Sequence, residues 1–430
     1  MSKKFFIIIT IILAIFVLAL TGYYFIIQSN TPGSKVTTTS VFKNFFPFGG
    51  NTASVPTTGT TQTNTLTNEP PVSTLVDVKL RKLYADPIAG FGDTETASGT
   101  VVRFMDTATG HVFETDLFSP RQERITNTTI PVVYNAYWGN DINSFITMYL
   151  KDNDRTVSTY SVYLSRASTT RGSEGGIKLL TNTQVPSINL SSNPYVISAI
   201  PLAQEVASIS VLNSNMFYVV QSQYGSTGFI SNLHGGKQKQ VWNSPITEII
   251  PQFVNDTTIA ITTKPYQNVS GFLYFINTIT GGVKRVLGDI PGLSTLVSPD
   301  AKKVLNFASG GGVALSVMHT DTQVQDTVTP TTFPEKCVWS KKDTTVVYCA
   351  VPHQILGEES LTDWYKGKKQ FSDDVWKYDL TTNTSHVIEN ISTDTTDEID
   401  VIKPVLTPNE KYLLFVNKKD GALWSLDLTK

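Results

Sequence analysis

"LVSPDAKKVLNF" at residues 296–307 and "VLTPNEKYLLFV" at residues 405–416 share one pattern: an apolar strand end, a small polar turn, then an apolar run. Weaker copies are "VWSKKDTTVVYC" (338–349), "QFVNDTTIAITT" (252–263), "SVLNSNMFYVVQ" (210–221) and "YWGNDINSFITM" (137–148). All read as hairpins with their turn chemistry at matching places. Equivalent turn positions at 213, 254, 298 and 340 are 41, 44 and 42 residues apart. The longer gaps, 139 to 213 and 340 to 407, each equal one period plus an insert.

A second motif follows the first. "GFLYFINTITGGVKRVLGDIPG" (271–292), "DVWKYDLTTNTSHVIEN" (374–390) and "VVRFMDTATGHVFETDLFSPRQERITNTTIP" (101–131) each read as a third strand, a polar turn and a fourth strand. One repeat is therefore four strands in about 42 residues, the size of a β-propeller blade. Runs such as "VVYCAV" and "YLLFV" are almost continuously apolar, as expected of strands covered on both faces by neighbouring blades. A chain of 430 residues also exceeds one ordinary core unless the core repeats.

The segments "SPDAKKVLNF" and "TPNEKYLLF" resemble the S-P-D-[GK]-x-x-[IL]-x-[FY] element of TolB-type, WD40-like propeller repeats. The resemblance covers most of 78–430, is clear in two copies and is degraded elsewhere. The Trp-Asp signature of WD40 repeats is absent, and Gly-His occurs once, at 110–111. It implies a blade and no particular ligand, because propellers host many unrelated functions.

Inner strands are expected to begin near 86, 131, 204, 247, 291, 333 and 399, giving an all-β, seven-bladed propeller over 76–430. The seventh blade runs out at Lys430 with three strands. "VKLRKLYA" (78–85) matches the other fourth strands, such as "GVKRVLGDIPG" and "KQVWNSPIT". Residues 78–85 are therefore expected to pair with 422–428 and close the ring, leaving no unpaired outer gap.

Residues 5–27, "FFIIITIILAIFVLALTGYYFII", are uncharged and apolar. As a helix they would span roughly 35 Å, enough to cross a bilayer. Lys3 and Lys4 precede the run, so the positive-inside rule puts residues 1–4 in the cytoplasm and the rest outside. A cleaved signal peptide is the alternative, but the run exceeds the usual h-region and no A-x-A site follows. Twelve Thr lie between Thr31 and Thr67, and residues 28–75 read as a disordered linker that cannot offset its chain entropy. "FKNFFPFGG" (42–50) interrupts it, either as a docking segment or as a tolerated apolar patch.

Charged residues make up 16% of the chain and no basic stripe is present, which argues against a nucleic-acid partner. Cys337 and Cys349 flank one hairpin turn symmetrically about Asp343. They read as a cross-strand disulfide in an exported domain, or as two small buried apolar residues. No His is spaced with them to form a zinc site, and no metal or cofactor is expected. G-x-S-x-G, H-E-x-x-H and P-loop patterns are all absent, so no catalytic residue is singled out.

The insert 351–373, "VPHQILGEESLTDWYKGKKQFSD", falls between the second and third strands of blade six. An insert within 166–203 is expected on the same face. The blade-six insert supplies the candidate binding residues His353, Asp363, Trp364, Tyr365, Phe371 and Asp373. A Trp-Tyr pair beside charges suits a contact surface; equally, it can fold down to hold its own insert in place. The acidic loop 391–400 reads as a solvated turn.

The leading expectation is a single-pass, membrane-anchored propeller outside the cytoplasm that binds or scaffolds an envelope or surface protein. Two alternatives remain. One is a hydrolase or lyase acting on a sugar or lactone in the central channel, which a cluster of carboxylates and a His would support. The other is a surface adhesin.

Overall fold

The Ser-Pro-Asp turn explains why the repeat has this sequence. In blade five, Ser298 Oγ donates to Asp300 Oδ1 at 2.6 Å, Lys302 N donates to the same oxygen at 3.0 Å, and Lys303 N donates to Ser298 Oγ at 2.9 Å. Blade seven repeats the arrangement with Thr407 and Asn409: Thr407 Oγ1 to Asn409 Oδ1 at 2.8 Å, and Lys411 N to that same oxygen at 2.9 Å. Ala301 and Glu410 both adopt φ between 54° and 59°. The hydroxyl and the acid or amide hold this left-handed corner, which reverses the chain from the first strand into the second.

The computed structural model describes residues 78–119, 121–150, 157–166, 195–202 and 206–430. They form seven four-stranded antiparallel sheets. Their inner strands are Ile88–Thr96, Val133–Trp138, Val206–Leu212, Ile249–Asn255, Ser294–Val297, Cys337–Trp339 and Val401–Leu406. The chain is thus a seven-bladed β-propeller. The apolar run 5–27, the linker 28–75 and the Phe-rich segment 42–50 lie outside the described residues. Among the described residues, no helix is long and apolar enough to cross a membrane.

Cores lie between blades. One cluster joins Phe217, Val219 and Trp242 of blade three to Ile249, Phe253 and Ile259 of blade four. Another joins Met105 and Val112 of blade one to Val133, Phe145 and Val162 of blade two. Second strands are covered on both faces, as in Tyr412–Asn417 and Thr258–Thr263. Each fully buried Val, Leu, Ile or Phe contributes about 1.5–3 kcal/mol. At Gly90 the backbones of blades one and two approach so closely that a Cβ there would lie 1.9 Å from Ala136 O.

Blade seven draws its fourth strand from the other end of the domain. Leu80–Tyr84 pairs with Leu423–Asp427, placing Leu80 opposite Leu426 and Arg81 opposite Ser425. The strand also reaches both flanking blades. Lys79 Nζ lies 2.9 Å from Glu389 Oε2 of blade six. Arg81 donates to Ser119 O at 2.6 Å, beside blade one. Leu83 is fully buried against Val102 and Phe104 of blade one.

Two strand assignments differ from the sequence reading. Residues Gly99–Asp106 are the second strand of blade one, not the third. The "TATG" turn resembles "TITG" of blade four because both bend with a left-handed Gly, Gly110 and Gly281. Tyr195–Pro201 is not insert sequence but the fourth strand of blade two, paired with residues 160–166. Its apolar residues lack the basic start that marks other fourth strands. The intervening 167–194, outside the described residues, therefore connects strands three and four. That places both ends of this insert at the face opposite the blade-six insert.

Deleting residues 78–85 removes a strand and the Leu83 contact, and the deletion variant should melt several degrees below the full chain, at roughly 1–2 °C per kcal/mol lost for a domain of this size. Circular dichroism melts of the two proteins check this.

Candidate functional site

Four residues, Phe333 to Lys336, lead into the inner strand of blade six, with Pro334–Lys336 forming a short 3-10 turn. Pro334 fixes the start of that turn. The turn aims Lys336 into the protein, where its side chain is fully buried. Its ammonium contacts Asp373 and Asp400 and donates to Val401 O at 3.3 Å. Val401 N donates back to Asp373 Oδ2 at 2.7 Å. Trp364 Nε1 donates to both oxygens of Asp400 at 3.0 Å, and Phe371 N donates to Asp400 Oδ2 at 3.1 Å. Burial pushes the Asp373 carboxyl up; the Lys336 ammonium opposes this and Asp400 reinforces it.

A third acid stands beside this group. Glu335 accepts from Ser294 Oγ of blade five and from the Tyr365 hydroxyl. Its other oxygen is buried with no partner among the described residues. Burial pushes the Glu335 carboxyl above its ordinary 4.5 despite those two hydrogen bonds. The Tyr365 phenol is pushed well up by burial and by Glu335.

The insert crosses above these groups as a loop and a short helix, Ser360–Tyr365. Trp364 is 4% exposed and packs on Phe333, which also touches Phe371. Neighbouring blades fasten the insert from the sides. Gln267 N of blade four donates to Thr362 Oγ1 at 2.8 Å. Gly312 N of blade five donates to Glu358 Oε1 at 2.7 Å. Lys418 of blade seven donates to Trp364 O and lies 4.2 Å from the centre of its ring. Burial lowers the Lys418 ammonium to about 8. Lys366 reaches back to blade four, 4.5 Å from the centre of the Tyr266 ring.

Of the six residues singled out in the sequence, the structure brings together Trp364, Tyr365, Phe371 and Asp373. They converge inward on Lys336, Glu335 and Asp400, and Trp364, Phe371 and Asp373 have almost no exposed surface. His353 is exposed and pairs with Asp374 at 2.7 Å, and Asp363 is half-buried in the helix. The outer surface carries residues the sequence reading did not single out: Ile355, 94% exposed, with Tyr266 and Lys366. Cys337 and Cys349 are opposed across the first two strands of blade six and joined by a disulfide. Among the described residues, no group of His, Cys, Asp and Glu is arranged to hold a metal ion.

No protein-family model matches the chain, and no curated protein sequence matches it. Solved structures do. An oligogalacturonate lyase from Vibrio parahaemolyticus superposes with a TM-score of 0.51 at 10% identity, covering 83% of this chain and 95% of that one. TolB from Acinetobacter baumannii superposes at 0.37 and 11% identity, covering 78% of each chain. A puromycin-hydrolyzing peptidase from Mycobacterium tuberculosis superposes at 0.42 and 11% identity, covering 77% of this chain and 52% of that one. The first likeness shows the propeller fold and nothing of activity; the other two, below 0.5, carry no argument.

Two outcomes follow for the buried groups. Lys336→Met leaves two carboxylates buried without their cation and should cost about 3–5 kcal/mol in urea unfolding. The folded protein holds the Glu335 proton more tightly than the unfolded chain does. That contribution is full below 4.5 and is lost as pH rises through the raised value. Glu335→Gln should therefore gain on the wild type as pH rises from acid to neutral. Urea midpoints across that range check the sign.

Proposed function

We propose that this chain is a membrane-tethered, extracytoplasmic binding module whose contact surface is the crest of the blade-six insert. The observation that carries this reading is the fastening of the insert to blades four, five and seven as well as its own. A surface loop ordinarily loses entropy when a partner orders it. This one is held beforehand, so its exposed groups meet a partner at low cost. Those groups are an apolar Ile355 and the Lys366 ammonium over the Tyr266 ring, a mixture suited to a protein surface. The buried residues beneath act as its foundation.

Two features support a position outside the cytoplasm. The uncharged run 5–27 behind Lys3 and Lys4 reads as an anchor with its N-terminus inside. The Cys337–Cys349 disulfide suits an oxidising compartment.

A photo-crosslinking residue at Ile355 of the full chain should capture one discrete protein in cells. The same residue at Ile279, exposed in the turn between strands three and four on the opposite face, should not. Identical products from both positions, or none at 355, would remove the insert crest as the contact surface. Alkaline carbonate should leave the full chain in the membrane pellet and release a version lacking residues 5–27.

A further inference from the structure

The central channel is not uniform around its ring. Four inner strands carry a register break near their start: between Ile88 and Gly90, Val133 and Asn135, Val206 and Ser208, and Ile402 and Val405. These belong to blades one, two, three and seven. The inner strands of blades five and six run in unbroken register. Bulges re-aim side chains and widen the local twist. A cavity of about 280 Å³ lies against those same four strands.

Within the bulge of blade seven, Lys403 adopts φ 51°. A non-glycine residue in this region is strained and persists where its surroundings require it. Its side chain reaches past blade one to blade two. Nζ donates to Ala89 O at 3.1 Å and to Asn135 Oδ1 at 3.0 Å. An ammonium has three N–H donors, so one remains. Neither partner is a carboxylate. The acids of the adjoining strand, Asp93 and Glu95, lie four and six residues beyond Ala89. Lys403 is exposed to the channel, so its ammonium can be reached by a ligand.

The other polar groups lining this cavity are also donors. Ser210 Oγ already accepts from Phe253 N at 2.8 Å, leaving its O–H to give. Tyr137, pushed up to about 12 by burial, keeps its phenolic proton. Phe91, Ile209 and Val405 supply apolar walls.

We infer that this side of the channel is a binding site for a small carboxylate with an apolar body, its carboxylate on Lys403. A carboxylate would accept from the remaining Lys403 N–H and from the Ser210 hydroxyl, and the aromatic and aliphatic walls would cover the rest of the ligand.

The test uses the full chain in detergent with benzoate as probe and benzyl alcohol as its uncharged counterpart. Calorimetry gives the benzoate Kd. Trace acetylation read lysine by lysine by mass spectrometry then reports occupancy. With benzoate at twice its Kd, Lys403 should label about threefold more slowly, following 1 + [L]/Kd, while exposed Lys368 is unchanged. Benzyl alcohol should protect neither, and Lys403→Met should abolish the calorimetric signal while keeping the wild-type circular dichroism spectrum. The wild-type labelling decides the matter should that variant fail to fold. Unchanged Lys403 labelling in benzoate, or equal protection by inorganic phosphate, would overturn the inference.

Discussion

Seven sheets arranged around one axis leave every innermost strand with a free edge, whose N–H and C=O groups face the channel. An unpaired buried backbone group costs as much as a lost hydrogen bond. This chain meets that constraint with side chains from neighbouring blades. Gln252 of blade four clamps the Val297 backbone of blade five with both ends of its amide, at 2.8 Å each. Ser210 accepts from Phe253 N, Trp339 donates to Leu296 O, Asp373 accepts from Val401 N and Lys403 donates to Ala89 O. The bonds that satisfy the edges therefore also join the blades. The two ends of the domain are joined by the strand at residues 80–84, and the sides of the ring by these polar links.

The Lys336 group carries this scheme to its most costly form. Burying an ammonium and two carboxylates brings a desolvation penalty that Coulomb attraction seldom more than balances. An apolar trio would fill the space at less risk. The ionic group, however, sets geometry. Asp400 receives Trp364 and Phe371 N, Asp373 receives Val401 N, and Lys336 holds the two carboxylates together. Each bond fixes one piece of the insert or of the adjoining inner strand in a single place. We read the group as a device for positioning the insert, with Trp364 buried beneath it.

The repeat was legible because its turn is chemically determined: Ser298 and Asp300, or Thr407 and Asn409, accept the backbone N–H groups of Lys303 and Lys302, or Tyr412 and Lys411, which needs a hydroxyl and an acid or amide at that spacing. The two-sided burial of second strands was legible for the same reason, since it leaves an unbroken apolar run. Strand position within a blade was less so. "TATG" and "TITG" encode a tight turn and do not say which pair of strands it joins. The candidate site was half legible. The insert stands out by length, and Trp364 and Tyr365 by type, but whether an aromatic points up or down depends on what lies beneath it. Here that is Lys336, a lone cation in "FPEKCVW", 28 residues earlier. An isolated lysine in an inner-strand segment is the signal that finds it, and "DVIKPVL" holds the other one, Lys403.

These two lysines divide the ring. Lys336 lies where the inner strands of blades five and six are regular and the insert is fastened across blades four to seven. Its donors are spent on carboxylates and a carbonyl. Lys403 lies where blades seven, one, two and three bulge, and a cavity opens with a donor unspent. A flat ladder admits a closely seated cap, because every strand presents the same edge height; a bulged ladder does not, because each extra residue tilts the strand and moves the edge away. Rigid support and open space are thus two outcomes of one local choice, made at the first few residues of each inner strand. Blade seven takes part in both, with Asp400 on the Lys336 side and Lys403 three residues along on the cavity side. A change in the lean of that strand would act on insert and cavity together, because Asp400 and Lys403 stand three residues apart on it.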